Sequence, residues 1–159
     1  MKWWLGCFIG LIFLPVCSCG QSEEYELFDE RDYNKVRMGP DLDYPYVIVF
    51  YNKRDTNYSL REVYFDESYT QLLWKSFFYK NVPEGPWYTY VNGDILTKGF
   101  YKAGRKDGER ITYRNGKISQ KAYFKDGKKV SVWEEYDANG KLTRKTVYNN
   151  DVMVNDTRY

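Results

Sequence analysis

The sequence contains no histidine, and its three cysteines all lie within the first nineteen residues. Without histidine the chain lacks the commonest general base and the usual zinc ligand, and Ser-His and Cys-His nucleophile systems are excluded. Because Cys7, Cys17 and Cys19 lie so close to the start, a chain cleaved in this region would keep no internal disulfide and no thiolate cluster. The sequence therefore predicts no metal site and no bound cofactor.

The long apolar run near the start is too short to cross a membrane. It reads "WWLGCFIGLIFLPV" from Trp3 to Val16, which is 14 residues, whereas a helix that spans a bilayer needs about 20. The run follows the positive charge of Lys2 and precedes small residues. This pattern is typical of a signal peptide.

The run ends in "VCSC", from Val16 to Cys19, which resembles the lipobox of bacterial lipoproteins. The resemblance implies a signal peptide over residues 1–18, cleavage after Ser18 and acylation of Cys19. The acyl chains would hold the protein in the lipid bilayer of the outer membrane, on its periplasmic or its surface-exposed side. Two alternatives stay open, namely modification at Cys17 and a plain secreted protein.

Charge is distributed unevenly along the chain. The formal net charge is only +2, so no overall field points to nucleic acid, and the export signal also disfavours that partner. Residues 20–44 carry a net charge of −5 (3 bases, 8 acids), and residues 85–145 carry +7 (14 bases, 7 acids). The acidic stretch, assigned to a tether over residues 19–43, resembles the export tag of some Bacteroides-type lipoproteins, and a plain solvated tether is the alternative.

One phrase occurs three times in the basic half, as "WYTYVNG", "RITYRNG" and "WEEYDANG". The period is 23 residues and becomes 24 where Ala138 is inserted. The Asn-Gly pairs predict type I′ hairpin turns, and further turns are predicted at residues 103–104, 126–127 and 150–151. The positions that repeat and should carry the architecture are Gly85, Trp87, Tyr90, Gly93, Gly104, Gly108, Tyr113, Gly116, Gly127, Trp133, Tyr136 and Gly140.

A lone hairpin is marginal in water, so consecutive hairpins should pair edge to edge. The predicted fold is all-β, an elongated antiparallel sheet of stacked hairpin repeats with an irregular N-terminal tether. The tether holds at most a short helical turn near Glu30–Val36. The remaining divisions are N-terminal strands or degenerate repeats over residues 44–84, three repeats over 85–151, and a C-terminal cap or tail over 152–159.

The segments "YKAGRKDGERITYRNGK" and "YFKDGKKVSVWEEYDANGK" resemble the bacterial variant of the MORN repeat. The resemblance covers residues 85 to about 151 and implies a sheet of hairpins. It also suggests an antitoxin-like protein, because the variant occurs in a family commonly described in that way. Two residues depart from the pattern. Arg110 stands at the repeat position that Trp87 and Trp133 occupy, which we call the tryptophan column, and Ser131 stands at the position of Gly85 and Gly108.

Alternation along the second strand of each repeat separates two faces. One face is predicted to carry Ile95, Gly99 and Tyr101, Ile118, Ala122 and Phe124, and Leu142, Thr146 and Tyr148. The opposite face carries the candidate binding residues Lys98, Phe100, Lys121, Tyr123 and Lys145. These lysines either bind an anionic envelope component or an acidic protein surface, or act only as solubilising charges on a solvated face.

Two further groups of residues were considered as sites. Trp87 and Trp133 could stack on a sugar ring, although a tryptophan at a fixed repeat position more often packs between hairpins. A glycosidase-like carboxylate pair could come from Asp107, Glu109, Glu134 and Glu135, but acids at turns and strand starts usually serve solubility. The sequence shows no other nucleophile, metal or phosphate motif, so we predict no enzyme and no catalytic residue.

The sequence therefore predicts a membrane-anchored lipoprotein that acts as a non-catalytic interaction module. Its partner would be a protein or an anionic envelope component that lies on the sheet. Two alternatives remain, namely an immunity or antitoxin-like protein that neutralises a toxin, and a glycan-binding or glycan-cleaving accessory protein.

Overall fold

The computed structural model describes residues 28–39 and 46–159. A short 3-10 turn over Glu30–Asp32 precedes twelve strands. The strands are β1 (Tyr33–Met38), β2 (Tyr46–Asn52), β3 (Tyr58–Tyr64), β4 (Leu72–Tyr79), β5 (Val82–Val91), β6 (Asp94–Lys102), β7 (Arg105–Lys106), β8 (Gly108–Arg114), β9 (Lys117–Lys125), β10 (Lys128–Tyr136), β11 (Leu142–Asn149) and β12 (Val152–Arg158).

The strands form one antiparallel sheet in which chain order is also spatial order. Each strand pairs with the next along the chain, except that β6 pairs with β8 and the two-residue β7 sits beside β6. The prediction of an all-β antiparallel sheet of consecutive hairpins is confirmed. No helix within residues 28–39 and 46–159 has the length and apolar composition that crossing a membrane requires.

Most hairpins close through two residues with positive φ, as a type I′ turn requires. These pairs are Lys80–Asn81, Asn92–Gly93, Ala103–Gly104, Asn115–Gly116, Asp126–Gly127 and Asn150–Asp151. The third Asn-Gly differs, because only Gly140 has positive φ there. The inserted Ala138 widens that connection, which closes with a hydrogen bond of 2.9 Å from Asp137 N to Lys141 O. The third Asn-Gly is therefore a hairpin loop but not a two-residue turn.

A β-bulge near the start of the second strand changes the predicted faces. Thr89 pairs with Thr97, but the next residue, Tyr90, pairs with Ile95, so Leu96 is extra. The same shift occurs in the next two repeats, where the residues Ser119 and Thr143 are skipped. Simple alternation placed Ile95, Ile118 and Leu142 on the face of Gly99. The bulge instead sets them opposite Tyr90, Tyr113 and Tyr136, on the lysine side of the sheet.

The repeats extend further upstream than the three that the sequence revealed. The pairs Glu62↔Lys75 and Arg61↔Ser76 of β3 and β4 correspond to Glu134↔Lys145 and Trp133↔Thr146 of β10 and β11. Tyr64 donates a hydrogen bond of 2.7 Å to Glu62, and Tyr136 does the same to Glu134. Strands β3 and β4 thus have the register and the local contacts of a fourth repeat.

Both ends of the described chain carry strands that extend the sheet. Residues 33–38, which the sequence analysis assigned to the tether, pair with β2 as β1. The predicted helical turn is limited to Glu30–Asp32, because Asp29 caps the Arg31 amide and the backbone is extended again at Tyr33. The predicted cap or tail at the C-terminus is the edge strand β12, which pairs with β11.

The main cluster of buried apolar side chains lies in β2 and β3, on both faces of the sheet. On one face Ile48, Phe50 and Leu60 form a cluster, and the ring of Phe28 covers it with centroids 5.5 Å from Phe50. On the other face Val63, only 2% exposed, pairs with Val47. A single sheet has no second layer to cover the rest, so most residues of the later strands are half-buried or exposed, with exceptions such as Ala122 and Phe124.

Candidate functional site

The predicted lysines lie in one row across the strands. The row reads Glu62, Lys75, Tyr88, Lys98, Ile111, Lys121, Glu134 and Lys145, each paired with the next on the neighbouring strand. We call this side of the sheet the lysine face. The row places Lys98, Lys121 and Lys145 as the sequence predicted and adds Lys75, which the sequence analysis did not include.

Acids within the row offset part of its positive charge. The Lys145 ammonium lies 3.3 Å from the carboxylate of Glu134, which is also the strand partner of Lys121. A hydrogen bond from Tyr136 and, more weakly, the nearby lysines hold the pKa of Glu134 below its ordinary value despite burial. At the other end Lys75 pairs with Glu62 across the strands. The row is therefore a mixed-charge ladder, not a continuous cationic surface.

The two aromatic residues predicted beside the lysines also lie on this face. Tyr123 is 36% exposed, and its hydroxyl donates a hydrogen bond of 2.9 Å to Glu109, its partner on β8. Phe100 pairs with Pro86, which is buried. Both rings thus have structural contacts in addition to any role in binding.

On the opposite side of the sheet, arginine and tryptophan alternate from repeat to repeat at the position of the tryptophan column. Its members are Arg61, Trp87, Arg110 and Trp133, and they face the small residues Ser76, Gly99, Ala122 and Thr146. Two residues further along each of these second strands stand Phe78, Tyr101, Phe124 and Tyr148. We call this side the groove face. Arg110, a departure from the repeat pattern, thus belongs to an alternation that begins at Arg61.

In the C-terminal half of the groove face the column is closed by packing. The Trp133 ring lies 5.2 Å from Phe124 and 5.0 Å from Tyr148, centroid to centroid. The Arg110 guanidinium lies 5.3 Å from the centroids of both Phe124 and Trp133. The Lys129 ammonium lies 4.8 Å from the Trp133 ring. Alternating rings and cations pack against one another in this half through cation–π contacts, so Trp133 has a structural role here.

In the N-terminal half the same face opens into a groove of about 660 Å³. The apolar floor comes from valines of β2 and β3, and the sides come from rings and cations of β2 to β7. The side chains at its sides include Arg61, Trp74, Phe78, Trp87, Tyr101 and Lys106. Lys75 and Tyr88 also border the groove, but their register places their side chains on the lysine face, so they contribute backbone.

Gly99 accounts for the position of the Trp87 indole at the side of the groove. A Cβ atom at Gly99 would lie 2.9 Å from the indole, so the ring rests directly on the glycine. Trp133 faces Thr146 instead, and its Nε1 donates a hydrogen bond of 3.1 Å to the carbonyl of Tyr123. Trp87 Nε1 has no such acceptor among the described residues. The glycine therefore lets Trp87 lie flat on β6, a position that a larger residue would block.

The groove carries positive charge and an unpaired hydrogen-bond donor on Arg61. The Arg61 guanidinium lies 4.1 Å from the Phe78 ring and donates a hydrogen bond of 2.6 Å to Asn81. Its Nε is buried with no acceptor in the described part of the chain. The Lys106 ammonium lies 5.8 Å from the Trp87 ring. None of the described residues that line the groove is an acid. The described part of the site is therefore cationic and aromatic.

The four acids considered as a carboxylate pair each have a structural contact. Asp107 lies 3.1 Å from Lys125, Glu109 accepts from Tyr123, Glu134 accepts from Tyr136, and Glu135 lies 3.9 Å from Arg144. Glu134 and Glu135 follow each other along β10 and so point to opposite faces. Within residues 28–39 and 46–159, no group of three or more Cys, Asp or Glu is placed to hold a metal ion.

Cys19 and the predicted signal peptide lie outside the described residues, so the lipid anchor stays a prediction. The sequence analysis did not predict the groove, because its candidate binding residues lie on the lysine face. The available signals were Gly99 opposite a tryptophan and the alternation of Arg61, Trp87, Arg110 and Trp133, which becomes visible only once β3 is counted as part of a repeat.

No family model matches the sequence, and no curated protein is similar to it. Solved structures match part of the chain, among them the following two. The pneumococcal O-GlcNAc transferase GtfA in complex with UDP and GlcNAc has a TM-score of 0.43 at 12% identity, over 63% of this chain and 19% of that chain. TarM has a TM-score of 0.28 at 11% identity, over 87% and 24%. The chain spans at most about a quarter of either protein, and likenesses this weak carry no argument.

Proposed function

We propose that this protein is a non-catalytic binding module, held at the outer membrane by an acylated Cys19, that binds its ligand in the groove. The observation that carries the proposal is the groove of about 660 Å³, whose sides are aromatic and cationic. Pockets of this size, largely apolar with a few convergent polar groups, are the usual form of small-ligand sites. The anchor rests on the sequence alone.

The groove is a better candidate for a ligand site than the lysine row, because acids offset part of the positive charge of the row. Glu62 and Glu134 stand within the row, and Glu134 forms an ion pair with Lys145. The groove has Arg61 and Lys106, and no acid stands among the lining residues that the structure describes. A ligand would therefore meet an uncompensated positive charge in the groove, in a concave site where water screens it less than on a flat face.

The test is a fragment screen by ligand-observed NMR on the full-length protein and two matched variants. Lys106→Gln removes a groove charge, and Lys98→Gln removes the same charge from the lysine face. We expect fragments that bind the wild type to bind the Lys106 variant about tenfold more weakly, a change of about 1.4 kcal/mol, and the Lys98 variant unchanged. Fragments that respond only to Lys98→Gln, or no binding at all, would overturn the proposal.

A protein partner, as in the immunity or antitoxin-like alternative, is the second candidate. The observation that favours it is the edge strand β12, where Val152, Met153 and Val154 are 64%, 55% and 58% exposed. Exposed strand edges pair readily with a strand of another protein. We expect co-expression with the product of an adjoining gene to yield a stoichiometric complex that Val154→Lys disrupts. A complex that withstands Val154→Lys would exclude β12 as its contact.

A further inference from the structure

We propose that the groove binds an acidic saccharide, a chain of pyranose rings that carry carboxylates. This inference rests on the proposed function. Two properties of the groove select this class. They are the flat apolar rings at its sides, and the positive charge of Arg61 and Lys106 with no acid among the described lining residues.

The aromatic side chains provide flat surfaces of the kind on which a sugar ring stacks. Trp74 of β4 pairs with Thr89, and Trp87 of β5 pairs with Ser76, so the two tryptophans are diagonal neighbours on one face. Diagonal neighbours in a sheet are about 7–8 Å apart at the backbone. Tyr101 extends the same surface, with its ring centroid 5.8 Å from that of Trp87. The C–H face of a pyranose is apolar and planar enough to lie against such rings.

The charged head groups call for a ligand rich in oxygen. Arg61 and Lys106 both line the groove. Covering a charged N–H group without giving it an acceptor costs free energy, so ligand groups that can accept a hydrogen bond are favoured. Sugar hydroxyl and ring oxygens are acceptors. An acyl chain offers none, and therefore fits this site less well than a saccharide.

The charge of the groove then selects an acidic saccharide over a neutral one. Arg61 and Lys106 stand on opposite sides of Trp87 in the sheet, on β3 and β7. A planar guanidinium matches the geometry of a carboxylate, and an ammonium adds a second positive charge. A uronic acid ring on the indole would place its carboxylate beside one of the two cations. A neutral sugar would leave both charges uncompensated.

The test compares trigalacturonate with its methyl ester, which has the same shape without the charge. Both are titrated by calorimetry into the full-length protein and into the Lys106→Gln and Lys98→Gln variants. We expect trigalacturonate to bind, the ester and the Lys106 variant to show affinity at least about tenfold weaker, and the Lys98 variant to match the wild type. Thermal melts of both variants confirm that they are folded.

Two further probes separate the other ligand classes. Tetraglutamate represents an acidic peptide, and phosphatidylglycerol vesicles represent an anionic membrane surface. Binding of either probe without trigalacturonate binding, or equal affinity for the acid and its ester, overturns this inference. If fragments bind in the groove but no saccharide does, the proposed function stands and the saccharide inference falls, so the two failures are distinguishable.

Discussion

Ser131 has a backbone conformation that suits glycine. It has φ of 59°, and the matching positions of the earlier repeats are Gly85 at 104° and Gly108 at 86°. The left-handed region costs a residue with a Cβ about 1–2 kcal/mol. We therefore expect Ser131→Gly to raise the free energy of unfolding by about 1 kcal/mol and the midpoint of thermal unfolding by roughly 2–4 °C.

Ser119→Gly is the matched control for this change, because Ser119 has negative φ and its hydroxyl donates a hydrogen bond to Thr112 O. The same substitution there should lower stability. Equal effects at the two serines would show that backbone conformation at Ser131 is not the cause.

The hydrogen bond from Tyr136 to Glu134 makes the free energy of unfolding depend on pH in both the acidic and the alkaline range. It lowers the pKa of Glu134 and raises that of Tyr136 to about 12. A lowered carboxyl pKa contributes stability above the unfolded value, near about 4.3, and that contribution is lost as pH falls through the folded value. A raised tyrosine pKa contributes stability below the unfolded pKa of about 10. That contribution is lost as the pH rises through the folded pKa of Tyr136, about 12.

Glu134→Gln should therefore lower the free energy of unfolding by about 1 kcal/mol at neutral pH, measured by urea titration. The difference from wild type should shrink as the pH falls through the lowered pKa of Glu134, because the wild-type carboxylate then becomes protonated. A difference that is as large in acid as at neutral pH would mean that the charge of Glu134 contributes nothing.

At the scale of elements, the hairpin repeat is the unit that should be removable. Residues 108–130 form one period of 23 residues, and their deletion would join Asp107, which follows β7, to Ser131 of β10. Lys98 would then face Glu134 in place of Ile111, a more favourable partner for a cation. Because stability in repeat proteins is approximately a sum of neighbouring units, the shortened chain should fold, with a lower melting temperature.

The measurement is a thermal melt by circular dichroism together with the groove binding assay. We expect the shortened protein to keep its β signal and its ligand affinity, since Arg61, Trp74 and Trp87 lie upstream of the deletion. Loss of a cooperative transition would indicate that the repeats fold only as a complete set. Loss of binding with the fold intact would place the binding site in the C-terminal half instead.

At the scale of the whole molecule, local chemistry in the sequence predicts the sheet but not the groove. Asn-Gly pairs specify turns within a few residues, so the hairpins from β5 to β11 could be anticipated. The bulges that move Ile95 to the lysine face leave no such local sign. The groove depends on a longer relation, because it needs the indole of Trp87 to lie on Gly99 of β6 and Arg61 of β3 to occupy the same column.

The predicted anchor determines where this whole sheet is held, and it can be tested separately from the groove. One myristoyl-length chain binds a membrane only marginally, with a constant of about 10⁴ M⁻¹, whereas the two or three chains of bacterial lipoproteins hold firmly. Loss of the acylated cysteine should therefore release the protein completely. We expect Cys19→Ser to abolish labelling by radioactive palmitate and to move the protein from the membrane to the soluble fraction. Cys17→Ser should change neither, and the opposite result would place the anchor at Cys17.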